Sequence, residues 1–120
     1  MSSSAFKRKL SGSTDGMGVK ITTTSTAGDL IHTAIAGTTD GTYDEIWLWA
    51  YNSHTADVTV TVEFGNATAP DHNIVMTIPY KVGLVPIVPG LILQNGGTVR
   101  VFASSANVVA VSGFVNTMTD

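Results

Sequence analysis

The side chains through which this chain could do chemistry are few: three histidines (His32, His54 and His72), nine carboxylates, and six Lys or Arg residues, half of them in the triplet Lys7-Arg8-Lys9. The histidines do not fall at metal-ligand spacing. His32 lies between apolar neighbours and is expected to be a hydrogen-bonded core or interface histidine, whereas His54 and His72 fall in turn sequences. Asp44 and Glu45 are adjacent, so a strand would turn them to opposite faces and they make a poor carboxylate pair. Asp71-His72 has no serine or threonine at a supporting spacing, and Asp40 with Asp44 gives only a weak calcium signal. There is no glycine-rich phosphate loop and no Gly-x-Ser-x-Gly elbow. There is also no cysteine, which removes disulfides and thiolate sites. The reading is a chain with no catalytic residue, no cofactor and no metal, and so not an enzyme.

Two constellations suit binding instead. Trp47, Trp49 and Tyr51 share one face of a strand, while Ile46, Leu48 and Ala50 share the other. Such a row can anchor a subunit contact, fill an ordinary core, or stack on sugar rings. The second is the triplet Lys7-Arg8-Lys9 with Phe6 and Leu10 on either side. Residues 10–120 hold three basic against nine acidic side chains, a formal charge of −6, so a basic segment precedes an acidic body. Three cations give only modest, salt-sensitive affinity for nucleic acid, and the acidic body opposes it. Docking on an acidic protein surface is preferred, with Phe6 and Leu10 burying against the partner.

The elements that would position these residues are strands. Val58-Thr59-Val60-Thr61-Val62-Glu63-Phe64 alternates with period two, giving one apolar and one polar face. Similar runs cover Met17–Ile21, Leu30–Ile35, Glu45–Asn52, Asn73–Pro79, Val82–Val88, Leu91–Leu93, Thr98–Ala103 and Val108–Val115. Pro86 marks an edge or a bulge. Pro89-Gly90 reads as a turn, and Asn95-Gly96 as a hairpin turn. Glu45–Asn52 is expected to pair with Val58–Phe64 as a hairpin, and so are the last two strands. With no helical period of useful length, the fold class is all-β: a two-sheet β-sandwich, jelly-roll-like, of about eight short antiparallel strands with an extended N-terminal arm. The domain division is 1–16 for the arm and 17–120 for the sandwich. A neighbouring subunit is the expected clamp on the arm, the alternative being that it lies along its own domain.

Composition points the same way. Only 12% of the residues are charged while 43% are hydrophobic, and free monomers ordinarily keep more charge on their surface. A homo-oligomer whose exterior is covered by other subunits accounts for this. Neither a signal peptide nor a membrane span is apparent, and the greasy stretch Val82–Leu93 is broken by prolines.

Several runs carry a resemblance. They are Lys9-Leu10-Ser11-Gly12-Ser13 leading to Gly18-Val19-Lys20-Ile21, Leu30-Ile31-His32-Thr33-Ala34, Asp44 to Asn52, Ile78-Pro79, Val88-Pro89-Gly90, Val101 to Asn107, and Ser112 to Asn116. Together, over almost the whole chain, they resemble small structural proteins encoded beside the head genes of tailed bacteriophages. Members of this kind are β-sandwich proteins of virions, and several are capsid decoration (cement) proteins. The resemblance implies a chain made in the host cytoplasm and placed on the capsid surface. Its partners there would be the major capsid protein and neighbouring copies of itself. A head–tail connector or tail protein is the alternative, and a carbohydrate-binding module using the aromatic row a further one.

Overall fold

Alternation of apolar and polar residues makes strands, and their greasy faces need a second sheet to cover them. The computed structural model, described here for residues 3–120, meets that need with nine strands among those residues. They are β1 (Ser4–Lys9), β2 (Val19–Lys20), β3 (Asp29–Thr33), β4 (Tyr43–Asn52), β5 (Val58–Phe64), β6 (Asn73–Ile78), β7 (Val85–Leu93), β8 (Thr98–Ala103) and β9 (Val109–Thr119). One sheet has the order β1-β9-β4-β7, with β2 also paired to β9; the other has the order β3-β8-β5-β6. All pairings are antiparallel. From β2 onward the chain changes sheet at every connection except β5 to β6, which is the jelly-roll order.

The core lies between the sheets. Ile46, Leu48 and Ala50 of β4 face Val58, Val60 and Val62 of β5, with Val99 and Val101 of β8 and Val111 and Val115 of β9 beside them, all buried. Val, Ile and Leu dominate because branched side chains fill the space between twisted sheets without polar atoms to satisfy.

Several sequence expectations are corrected. β4 and β5 belong to different sheets, and so do β8 and β9, so neither pair is a hairpin. Asn95 and Gly96 do take the positive φ values of 60° and 68° that their turn chemistry suggests, but they carry the chain from one sheet to the other. Pro89-Gly90 is not a turn: β7 runs through it as an edge strand, and its register against β4 shifts on either side of the Trp47–Leu48 pair. The two prolines sit where a strand lacking a second neighbour loses little from a missing N–H.

The basic segment is also placed differently. Residues 4–9, read as part of an arm clamped by a neighbour, form β1 along β9, from Ser4 opposite Thr119 to Lys9 opposite Phe114. Leu10 then turns into this domain's own core and is buried, so it has no surface to offer a partner. Met1 and Ser2, the start of that arm, lie outside the described residues.

Glu63, expected on an open polar face, is buried. The segment 22–28 folds across β8 and β5, so that Thr26 Oγ1 donates to Glu63 Oε2 at 2.5 Å and the Gly28 amide donates to Oε1 at 2.7 Å. Gly28 is needed for that approach, since a Cβ there would meet the Val101 carbonyl carbon at 2.5 Å.

Candidate binding surfaces: a basic edge and an aromatic face

Nothing on an edge strand holds it except its one neighbour and whatever its inward side chains reach. Every residue of β1 is exposed, Phe6 to 48%. Arg8 supplies the anchor. It lies opposite Val115, a core residue, so it extends toward the inner layer. Its Nε–H donates to Thr117 Oγ1 at 2.8 Å, and the Thr117 hydroxyl donates to Asp44 Oδ1 at 2.7 Å. Arg8 Nη2 stands 3.6 Å from Asp44 Oδ2.

Asp44 is fully buried, and a buried carboxylate must have its lone pairs met. Beyond Thr117 and Arg8 it takes the Ile35 amide at 3.2 Å and His32 Nε2 at 2.6 Å. The His32 ring is fixed by its partners. The Ser11 amide donates to Nδ1 at 3.0 Å, so Nδ1 carries the lone pair and Nε2 the proton given to Asp44. Ser11 Oγ in turn accepts the Thr33 amide at 2.8 Å. A histidine, an aspartate and a serine thus stand together, but the imidazole lone pair that a nucleophile's proton would need already holds a backbone amide. The cluster fastens β1 and the following loop to the sandwich. His32 is the hydrogen-bonded core histidine expected from its apolar neighbours.

The second surface is the outer face of the five-stranded sheet. Trp47 and Trp49 project from it as successive outward residues of β4, with ring centroids 6.3 Å apart and planes 19° from parallel. Phe114, opposite Trp47 in the ladder, closes a three-ring cluster with centroids 6.3 Å from Trp47 and 6.0 Å from Trp49. Lys7 reaches across from β1 to place its Nζ 4.2 Å from the Phe114 centroid, a cation–π contact. Gly90 makes room for the cluster. A Cβ there would lie 2.7 Å from Trp47 Cζ2, and its φ of +79° disfavours any side chain.

Glu45 borders the rings. Its Oε1 accepts the Trp47 indole N–H at 2.8 Å and the Asn116 amide at 2.9 Å. The Trp47 bond first, and the Asn116 bond second, stabilise the ionised form and lower its pKa below the ordinary carboxylate value. Beyond it, Ile92 on β7 lies opposite Glu45 and is 56% exposed. The face is therefore aromatic at its centre, apolar toward β7, and basic toward β1.

The residues singled out from the sequence divide between these surfaces. Phe6, Lys7, Arg8 and Lys9 form the edge, with Arg8 half given to internal anchoring. Trp47 and Trp49 are half-buried in the ring cluster, and Tyr51 is exposed further along β4, beside a shallow groove with Lys20, Val108 and Ala110. Phe114, Asn116 and Glu45 join the aromatic face without having been singled out. Only the strand register could have found Phe114 and Asn116, which meet β4 from a strand more than sixty residues away, whereas the two-residue alternation already puts Glu45 on the face of Trp47. Among the described residues no three His, Asp or Glu side chains converge to hold a metal. No protein-family model, curated protein or solved structure matches the chain.

Proposed function

We propose that this chain is a non-enzymatic structural protein of a tailed-phage virion, binding the capsid surface as an oligomer and stabilising the shell. The observation that carries the reading is the outer face of the five-stranded sheet. There, Trp47, Trp49 and Phe114 stand only partly covered on a domain with little charge elsewhere, with exposed Ile92 on the same face opposite Glu45. A contiguous apolar face of this kind marks a place where another chain sits. The runs that resemble phage head-gene neighbours contribute most of that face, namely Asp44–Asn52, Val88-Pro89-Gly90 and Ser112–Asn116. Copy number in purified particles tests the reading. A number comparable with the shell subunit supports decoration, and a dozen or fewer favours a head–tail connector or tail position.

One observation favours a second reading, a carbohydrate-binding module. The paired indoles lie beside an ionised carboxylate and an amide, the groups that stack on and hydrogen-bond to sugars. Quenching of tryptophan fluorescence by glycans would support it against the first.

A further inference from the structure

The flank of the sandwich formed by β1 and β3 is unlike the other edges. β7 is interrupted by Pro86 and Pro89, and β3 has a register shift between Leu30 and His32. Such edges are poor templates for an added strand. β6 pairs regularly but carries no charge with which to select a partner. β1 pairs with β9 over six residues without a shift, contains no proline, and has no strand on its other side among the described residues. Its alternate N–H and C=O groups therefore face outward, unpaired within the sheet.

Beside this edge lies a cleft of about 280 Å³, lined by Arg8 and Lys9 of β1, Ser11, and His32 and Thr33 of β3. Arg8 is 43% exposed at its side chain, and the contacts it makes to Thr117 and Asp44 use Nε and Nη2. Lys9 also lines the cleft, and its Nζ donates to the Ser13 carbonyl at 3.1 Å. The cleft thus presents two cations beside a hydrogen-bonding edge.

We infer that this flank binds an extended acidic segment of a partner protein, which adds to β1 as a further strand and seats a carboxylate between Arg8 and Lys9. Main-chain hydrogen bonds supply the affinity and the cleft supplies the selection. A second copy is disfavoured, because β1 against β1 brings six cations onto one short ribbon and supplies no carboxylate to meet them. The inference deepens the docking role proposed above and rests on it for the partner's identity, a shell subunit.

The test uses the full chain and a fluorescein-labelled peptide of alternating Glu and Val. Anisotropy should show binding that weakens between about 0.05 and about 0.5 M salt. Lys9→Glu and Lys7→Glu, each checked by thermal melting to be folded, should weaken it about tenfold or more. A peptide N-methylated at alternate residues should not bind. The inference is overturned if a Lys-Val peptide or a single-stranded oligonucleotide binds as well, if the charge reversals or N-methylation change nothing, or if the chain instead self-associates through β1. Sedimentation with purified shells separates this from the decoration reading. Shells that bind the charge-reversed variants as well as wild type contradict the edge site alone. Shells that ignore the wild-type chain while the peptide binds it contradict decoration and leave the edge site standing.

Discussion

Asp44 shows how much one side chain can settle. It sits where a carboxylate is costly to bury, yet four donors or cations meet it, from β1, β3, β9 and the loop before β4. Asp44→Ala would leave the His32 and Thr117 donors buried without partners and release Arg8. A loss of about 3–5 kcal/mol in urea unfolding is expected, larger than for ordinary surface substitutions. A change under about 1 kcal/mol would show that the cluster does not hold β1 down. Glu45 gives a pH-dependent counterpart. Because its folded pKa is lowered, it adds stability above its unfolded pKa, and that stability is lost as pH falls through the folded value. Wild type should therefore exceed Glu45→Gln in melting temperature at neutral pH, and the gap should close below the ordinary glutamate range. A gap that persists or widens in acid would contradict the assigned bonds to Trp47 and Asn116.

At the scale of elements, Gly90 ties an edge strand to the aromatic face. Gly90→Ala should cost about 1–3 kcal/mol, from a positive φ together with a clash on Trp47, and should alter tryptophan emission. Unchanged emission would mean that the ring cluster does not depend on β7. This is also the scale at which the sequence was most and least informative. The strands were legible because their two-residue period is written locally, as in Val58–Phe64 and Glu45–Asn52. Their pairing was not, because a jelly roll sends consecutive strands to opposite sheets while turn residues such as Asn95-Gly96 look the same either way. The Trp47, Trp49 row was visible for the same local reason. Phe114 and Asn116 were hidden because only register joins them to it, and the burial of Glu63 was hidden because segment 22–28 had to be seen crossing the sheet.

For the molecule as a whole, structure and charge narrow the experiments. Residues 1–16 cannot be removed to test docking alone, since Leu10 belongs to the core and Arg8 to the Asp44 cluster. Charge reversal at exposed Lys7 and Lys9 separates docking from folding. The two surfaces also share Lys7, which stands on β1 and covers Phe114, so a partner strand on the edge and a partner surface on the aromatic face would adjoin each other. A shell-bound role for the molecule predicts a stoichiometry, and quantitative mass spectrometry of purified particles measures it. Decoration requires a ratio of this chain to the shell subunit near a simple whole-number relation across the capsid. A dozen or fewer copies per particle, or none, would contradict it.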